Sequence, residues 1–334
     1  MTDAVTFPLD QAVEVLERGG LVAIPTETVY GLAADAENGD AVANIYKAKQ
    51  RPANHPLIVH LTGPEALDAW AREVPEDARK LAETFWPGPL TLVLKRTDKA
   101  KDFITGGQDT VALRCPSHPV IRELLKAFAG SSHKGVAAPS ANSFGKISPT
   151  TAEHVRNDLG DKVDLILDGG ACSVGIESTI LDMSENDPRI LREGAVTGPM
   201  IEAVIGRPVQ HGAKSASPRV SGTLKSHYAP EHPLRLVSAE DLPGATQELA
   251  RHFKTFSIIA PEAVAKRFRG VCVSCFGYDA ENPAELQSRL YDWMHQLDKS
   301  GADFILVVPP PSSNGWLGVL DRLGRAAATK TEFL

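Results

Sequence analysis

The spacing of apolar residues predicts alternating helices and strands over the first 200 or so positions. Residues 9–18 place apolar side chains at a helical period that stops at Gly19-Gly20, and residues 21–24 form an uninterrupted apolar run typical of a buried strand. Further helices are predicted at 40–49, 64–70 and 75–85, and strands at 56–61, 90–94, 111–114, 135–138, 165–168, 179–182 and 189–192. This alternation indicates an α/β domain with a twisted, mixed sheet and many strands.

The pattern stops between residues 206 and 233, where Gly, Pro, Ser, Lys and His occur without apolar periodicity and indicate a linker. Regular alternation then resumes and predicts a smaller, parallel, Rossmann-like α/β domain. We therefore expect an N-terminal domain over 1–205, a linker over 206–233 and a C-terminal domain over 234–334. In the last, strands are predicted at 234–237, 255–260, 270–275 and 303–308, and helices near 240–253, 283–299 and 316–328.

Composition narrows the classes of function that fit. The 334 residues include 35 Lys+Arg and 42 Asp+Glu, a formal net charge of −7, which excludes a globally basic nucleic-acid coat. The longest uncharged stretch, 304–320, is interrupted by three prolines, so no transmembrane span is predicted. Residues 1–20 lack the basic start and apolar core of a secretory signal. We therefore expect a cytoplasmic protein with no membrane association.

Four cysteines are too few for a disulfide framework in a chain of this length. Cys272 and Cys275 form a C-x-x-C, which occurs both in redox motifs and in zinc sites. They lie in an apolar stretch, 271–276, that favours a buried strand, whereas redox pairs of this kind begin a helix. Since no second Cys or His pair stands at metal spacing, we predict no metal site.

Polar side chains cluster where predicted strands and helices end. Residues 25–31 place three hydroxyls and a carboxylate directly after the first strand, where open α/β sheets form ligand clefts; a polar turn that caps the next helix is the alternative. Lys47, Lys49 and Arg51 follow within five positions at a helix end stopped by Pro52. Their charges favour the helix C-terminus, and they also suit an anionic ligand such as a phosphate chain.

Two later loops carry small donors and glycines. Residues 137–149 include Ser140, Asn142, Ser143 and Ser148, and the loop contains Gly145, so backbone N–H groups can approach phosphate oxygens; a plain Ser/Asn loop is the alternative. Residues 168–180 lead through glycines to Ser178 and Thr179, with Arg192 at the end of the next strand. A hairpin explains those glycines equally well but not the arginine. The common phosphate-loop, dinucleotide, zinc-protease and nucleophile-elbow motifs are absent from the sequence.

Taken together, these segments resemble the YrdC-like family, the L-threonylcarbamoyladenylate synthases. The linker sequence S-G-T-L-K-S-H-Y-A-P at 221–230 and the extra α/β domain are similar to the long, two-domain form of that family, which ends in a Sua-type domain. The matching segments, in family order, are P-T-E-T-V-Y-G-L at 25–32, K-A-K-Q-R-P at 47–52, H-P-L-I-V-H at 55–60, F-W-P-G-P-L-T-L at 85–92, T-V-A-L-R-C-P at 110–116, A-P-S-A-N at 138–142, G-x-E-S-T-I at 175–180 and L-R-E-G at 191–194.

The resemblance implies a nucleotidyltransferase. Such an enzyme condenses L-threonine, bicarbonate or CO2, and ATP into threonylcarbamoyl-AMP and pyrophosphate. Its product passes to the machinery that transfers the threonylcarbamoyl group to the tRNA adenosine beside the anticodon. Mg²⁺ is the expected ion on the ATP phosphates, held mainly by substrate oxygens and water.

The resemblance also implies roles for individual residues. A catalytic tetrad is expected at Lys49, Arg51, Ser140 and Asn142. ATP contacts are expected at Arg51, His55, Thr110, Ser140, Ser148, Arg192 and the linker residue Tyr228, and threonine contacts at Thr28, His60, Arg114, the backbone of Ala138, and Ser178.

The chemistry agrees with those roles. A carbamate that attacks the α-phosphorus brings two anions together, so cations and N–H donors are needed to stabilise them. Arg114 is expected to pair with the substrate carboxylate. Bound reactants held in position require no covalent nucleophile from the enzyme, and the flexible 206–233 segment with its His-Tyr pair suggests a lid.

Two other functions remain open at this stage. An RNA-binding module could use the same Lys and Arg cluster without chemistry; the net charge lacks a broad basic footprint, although a local groove is compatible with weak tRNA binding. A carbamoyl-transfer domain of hydrogenase maturation is disfavoured, because its partner modules and zinc-type Cys motifs are absent from the sequence.

Overall fold

The computed structural model describes residues 7–130 and 132–328, which form two compact units. The first contains the described residues up to Phe144, together with Pro149–Ser173 and Glu177–Thr223. The second contains Gly145–Ser148, Val174–Ile176 and the described residues from Leu224 onward. The stretch predicted as a linker is thus shared between the two units.

Eight α-helices are described in the first unit. Helix α2 begins at the capping residue Asn38, whose side chain accepts from the backbone N–H groups of Asp40 and Ala41, and it ends at Gln50 in a left-handed conformation. This boundary makes Lys49 the last helical residue. The helices are α1 Leu9–Glu17, α2 Gly39–Lys49, α3 Leu67–Trp70, α4 Glu76–Phe85, α5 Asp102–Thr105, α6 Pro119–Ala129, α7 Ala152–Leu159 and α8 Gly198–Ile205.

The strands described in this unit form one sheet with both parallel and antiparallel pairs, in the order β10-β9-β8-β4-β5-β3-β6-β2-β1-β7. The predicted mixed α/β class is confirmed. The strands are β1 Val22–Ile24, β2 Gly31–Asp35, β3 Ile58–His60, β4 Leu90–Lys95, β5 Thr110–Arg114, β6 Val136–Ala137, β7 Leu165–Ile166, β8 Thr179–Asp182, β9 Arg189–Arg192 and β10 Gln210–His211.

Apolar side chains cover both faces of this sheet. In β1, Ala23 joins the larger core cluster, while Val22 and Ile24 join a second cluster with residues of α1 and α6. Successive strand residues point to opposite faces, so this division assigns each cluster to one face. A third, small apolar cluster contains Ile58 of β3 and Val93 of β4.

The second unit has a sheet of four parallel strands in the order β11-β14-β12-β13. This confirms the predicted small parallel α/β architecture. The strands are β11 Leu234–Leu236, β12 Phe256–Pro261, β13 Cys275–Tyr278 and β14 Phe304–Val307, and the helices are α9 Leu242–Arg251, α10 Glu262–Ala265, α11 Pro283–Asp298 and α12 Leu317–Ala327.

The strand predicted at 270–275 was placed too early in the chain. Strand β13 begins at Cys275, and Val271 and Val273 lie before it with 69% and 47% of their surface exposed. Cys272 is half-buried in the same loop. An apolar, β-branched run favours a strand by propensity, but pairing with β12 decides where the strand lies. Within the described ranges, no helix combines the length and apolar character needed to cross a bilayer.

Candidate active site

The centre of the first sheet carries a polar row beside an apolar row on one face. Arg114 of β5 pairs in register with His60 of β3 and with Thr91 of β4. Because residues two apart in a strand share a face, these polar residues lie beside the apolar residues two positions away in their own strands. That small cluster comprises Ile58, Val93, Ala112, Ile180 and Leu191. Polar and apolar surfaces therefore adjoin on the same face.

Lys49 joins helix α2 to the loop after β6. Its side chain is buried, and Nζ donates to the carbonyl oxygen of Ser140 at 2.5 Å and to that of Asn142. Burial, followed by the charge of Arg51, holds the pKa of Lys49 well below its ordinary value. The four residues of the predicted tetrad therefore lie close together in the first unit.

Arg51 and His55 share an aromatic neighbour. Arg51 Nη2 donates to the carbonyl oxygen of Pro56 at 3.0 Å, and the guanidinium carbon lies 5.8 Å from the centre of the Phe144 ring. The His55 ring meets the same phenyl ring edge-on, with centroids 5.5 Å apart. Partial burial, then the charges of Arg51 and Arg219, lower the pKa of His55.

Arg192, at the end of β9, holds Ser178 at the start of β8. Its Nε and Nη2 donate to the carbonyl oxygen of Ser178 at 3.1 and 2.9 Å, and Nη2 also donates to the Ser178 hydroxyl oxygen at 3.1 Å. That hydroxyl lies 2.7 Å from Oγ1 of Thr91. These contacts connect Arg192 to the polar row that contains Arg114.

Ser221, which the sequence did not single out, connects two of the predicted nucleotide-binding arginines. Arg51 donates to its hydroxyl oxygen at 3.1 Å, and Arg192 Nη1 donates to its carbonyl oxygen at 3.0 Å. The adjacent Val220 packs on the small apolar cluster, and Val220 and Ser221 line a pocket together with Thr110. A Gly/Ser-rich segment without periodicity gives no signal for such a position.

Arg114 has a buried carboxylate partner, Glu27, which is the carboxylate counted above among the polar groups of residues 25–31, where no individual role was predicted for it. Arg114 Nη2 donates to Oε1 of Glu27 at 2.6 Å, and Nη1 donates to Oγ1 of Thr28 at 2.9 Å. The Thr28 hydroxyl also lies 2.8 Å from that of Thr26. Residues 25–31 therefore form a polar turn that contacts β5, and Glu27 sits inside the segment that carried the family resemblance.

His60 is buried beside Arg114. Burial, followed by the charge of Arg114, lowers the pKa of His60 to about 3. Its imidazole is therefore neutral at physiological pH. Ala138, predicted to contact threonine through its backbone, uses its N–H to donate to the carbonyl oxygen of Ile58 at 3.1 Å, so its carbonyl group is the part that could meet a ligand.

Two predicted nucleotide contacts, Ser148 and Tyr228, belong to the second unit. Ser148 is fully buried, and its carbonyl oxygen lies 3.2 Å from Nε2 of His295. Tyr228 has a positive φ of 61° and packs against Tyr291 and the guanidinium of Arg322. Their role in nucleotide binding stays a prediction.

Within residues 7–130 and 132–328, no group of three or more His, Cys, Asp or Glu side chains is arranged to hold a metal ion.

Comparison with known proteins identifies the class to which this architecture belongs. A family model named Sua5_yciO_yrdC and described as "Telomere recombination" matches residues 14–194. A second model, described as the C-terminal domain of threonylcarbamoyl-AMP synthase, matches residues 196–328. The chain is thus a YrdC-like α/β protein with a Sua-type C-terminal domain.

Relatives that match over most of their length identify the family within this class. The chain is 38% identical to the threonylcarbamoyl-AMP synthase of Pyrococcus abyssi, over 93% of this chain and 92% of the relative, and 39% identical to that of Bacillus subtilis, over 95% and 92%. It therefore belongs to the threonylcarbamoyl-AMP synthase family.

Solved structures agree with this membership. A double-alanine variant of P. abyssi Sua5 matches with a TM-score of 0.87 at 34% identity, covering 96% of this chain and 92% of that one. P. abyssi Sua5 complexed with L-threonine matches with a TM-score of 0.83 at 35% identity, covering 96% and 94%.

Proposed function

We propose that this enzyme condenses L-threonine, bicarbonate or CO2, and ATP into threonylcarbamoyl-AMP and pyrophosphate. The observation that carries the proposal is the connected set of polar contacts across the first sheet. Arg51 and Arg192 meet at Ser221, Arg192 continues to Ser178 and Thr91, and Thr91 pairs in register with Arg114. A nucleotide and an amino acid could therefore bind side by side on one face.

We propose that the phosphate groups of ATP bind at Arg51 and Arg192, two cations of this set of contacts. Arg51 and Arg192 already donate to neutral oxygens of Ser221, and phosphate oxygens are stronger acceptors for a guanidinium than a hydroxyl or a carbonyl. His55 and Ser140 are proposed to add contacts near Arg51, and Thr110 is proposed to contact the nucleotide from β5. Ser148 and Tyr228 are proposed as further nucleotide contacts on the family resemblance alone.

Threonine is proposed to bind at the polar row. Arg114 would pair with the carboxylate, and Thr28, His60, Ser178 and the carbonyl of Ala138 would contact the amine and hydroxyl. Since His60 is neutral, it can donate or accept one hydrogen bond without adding charge. P. abyssi Sua5 in complex with L-threonine supports an amino-acid site in this fold.

The proposed reaction proceeds in two steps. The threonine ammonium group loses two protons, and its nitrogen forms a bond to the carbon of CO2, which gives a carbamate. From CO2 both protons pass to solvent; from bicarbonate one of them leaves with the bicarbonate hydroxyl as water and the other passes to solvent. A carbamate oxygen then attacks the α-phosphorus of ATP, and the bond to the pyrophosphate oxygen breaks. Lys49 and Arg51 are proposed to stabilise the negative charge that gathers there, while Ser140 and Asn142 position Lys49 through their carbonyl groups.

Mg²⁺ is proposed to accompany ATP. The described residues offer no cluster of three metal-ligating side chains, so they do not fit a resident ion, and substrate oxygens and water would have to supply most of its ligands. The product is proposed to pass to the tRNA threonylcarbamoyl-transfer machinery.

One experiment tests the activity directly. Purified protein is incubated with ATP, Mg²⁺, threonine and bicarbonate, and threonylcarbamoyl-AMP and pyrophosphate are measured by mass spectrometry and a coupled assay. Omission of threonine serves as the control. A protein that forms no product but binds tRNA with a steep salt dependence would instead be an RNA-binding module.

A further inference from the structure

Glu27 is buried, and each of its two carboxylate oxygens accepts a hydrogen bond from a different residue. Its Oε1 accepts from Arg114 Nη2 at 2.6 Å, and its Oε2 accepts from the backbone N–H of Ser117 at 3.0 Å. The side chains of Arg114 and Glu27 are 5% and 6% exposed. Each carboxylate oxygen thus fixes a different segment, one on β5 and one on the turn that leads into α6.

Arg114 is held from three directions while retaining donors for a ligand. Its guanidinium carries five N–H groups. Three of them donate to Gly88, Thr28 and Glu27, through Nε at 3.3 Å, Nη1 at 2.9 Å and Nη2 at 2.6 Å. Two N–H groups remain, enough for a carboxylate. Because Glu27 makes the shortest of the three contacts and is the only charged acceptor among them, it contributes most to fixing the plane of the guanidinium.

Glu27 also changes the charge that Arg114 presents. An arginine paired with a buried carboxylate is a neutral unit, whereas the two acceptors of Lys49 are carbonyl groups, which bring no negative charge to it. A neutral pair has donors for the carboxylate of a zwitterionic amino acid but attracts a polyanion weakly. The two parts of the cleft therefore differ in the anion that each favours.

We propose that Glu27 is a positioning residue for the threonine subsite: it orients Arg114 toward the substrate carboxylate and, by neutralising it, keeps phosphate anions out of that subsite. This inference rests on the proposed function, because it assigns the donors of Arg114 to threonine. Glu27 does not touch the reacting atoms; it acts through Arg114.

The test uses Glu27→Gln and Glu27→Asp in the full chain. Gln keeps one acceptor for Arg114 but removes the negative charge and places an amide N–H₂ opposite the N–H of Ser117. We expect Glu27→Gln to lower kcat/KM for threonine by about tenfold or more, since misplaced binding groups cost rate steeply, with the KM for ATP unchanged. Inorganic phosphate should become a stronger competitor of threonine. Glu27→Asp, which keeps the charge, should restore the resistance to phosphate.

Asp182→Asn is the matched control. Asp182 is a buried carboxylate of the same unit whose Oδ1 accepts from the backbone N–H and hydroxyl of Ser184. It should lower thermal stability without changing phosphate inhibition. If Glu27→Gln leaves kcat/KM for threonine and phosphate inhibition as in the wild type, or loses only thermal stability as Asp182→Asn does, the positioning role is wrong.

Calorimetric titration with threonine separates this inference from the proposed function. Wild-type protein that binds threonine but forms no threonylcarbamoyl-AMP contradicts the function, and weaker binding by Glu27→Gln would still support the positioning role. Unchanged threonine affinity in that variant would contradict it. Wild-type protein that does not bind threonine contradicts both.

Discussion

Arg51 donates from Nη2 to the hydroxyl oxygen of Ser221, which lies 170 positions later in the chain. Arg192 donates from Nη1 to the carbonyl oxygen of Ser221. A segment predicted as a linker therefore occupies donors that we propose for ATP phosphates. Nucleotide and segment must either compete for these donors or share them.

This competition predicts a change in protease sensitivity. Arg219 is exposed and precedes Val220 and Ser221, so trypsin can report on the segment. We expect a non-hydrolysable ATP analogue to accelerate cleavage after Arg219, because phosphate oxygens replace Ser221 at both arginines. Ser221→Ala should raise the cleavage rate without nucleotide, and mass spectrometry of the fragments gives the site. An unchanged rate at Arg219 with nucleotide would contradict the competition, and a slower rate would show that the segment closes over the nucleotide and shares these donors.

Lys49 and Arg51 should both be required for turnover. Lys49→Met or Arg51→Ala is expected to abolish threonine-dependent pyrophosphate release, because each removes a cation that we place at the reacting phosphate. Loss of Lys49 also leaves two carbonyl groups without their donor, at a cost of about 1–3 kcal/mol, so thermal unfolding must show that the variants are folded. Lys47→Ala, exposed on the same helix, is the control. Normal turnover in folded variants would remove both residues from the mechanism.

Arg192 should not be replaceable by lysine. Its guanidinium donates hydrogen bonds to two oxygens of Ser178 and to one of Ser221. The single ammonium group of a lysine cannot make the same set of contacts. We expect Arg192→Lys to reduce kcat/KM for both ATP and threonine by about tenfold or more. Arg189→Lys, on the same strand, should have little effect. Steady-state kinetics with each substrate varied in turn checks this, and equal kinetics in the two variants would argue against the assignment of Arg192.

His60 predicts a pH dependence of stability. Its pKa falls from an ordinary 6.5 to about 3 in the folded protein, so between these values the unfolded chain binds the proton more readily. The stability associated with a neutral His60 is complete above about pH 6.5 and is lost as the pH falls toward 3. We expect His60→Gln to lose less unfolding free energy than the wild type between pH 7 and pH 5. Parallel urea-denaturation curves at both pH values would reveal no such difference if the imidazole were solvated.

The structure leaves no room for a side chain at position 194, so we expect substitutions of Gly194 to be destabilising. A Cβ there would lie 2.4 Å from the backbone nitrogen of Thr179 and 2.8 Å from the carbonyl oxygen of Glu177. Since both are backbone atoms, Gly194→Ala must shift β8 near Ser178. We expect a lower melting temperature and reduced turnover, measured by thermal unfolding and pyrophosphate release. Gly206→Asn, at a left-handed helix end with open space, is the control; equal melting temperatures would show that β8 adapts.

The sequence predicted regular elements better than their contacts. Apolar periodicity located α1 and β4 closely, because burial of one face dictates that pattern. Strand β2 was missed, since Gly31–Asp35 follows a polar turn, consists mainly of small residues with low strand propensity, and is buried throughout without alternation. The residue types of Lys49 and Arg192 were informative, but the acceptors of Lys49 lie 91 and 93 positions away and those of Arg192 lie 14 and 29 positions away. The role of Glu27 could not be predicted from the sequence, because it depends on the hydrogen bond that Arg114 donates to it in the folded chain.

The contact between Arg51 and Ser221 also sets the order in which the site can be completed during synthesis. Helix α2 and Arg51, which follows it, leave the ribosome long before residue 221 is made, and domains form as units while the chain emerges. A nascent chain could thus acquire the sheet from β1 to β9 with Arg51 on Pro56 and Arg192 on Ser178, but without the residue that joins the two arginines. Only elongation past Ser221 supplies that residue, so the connection between the two guanidinium groups forms late.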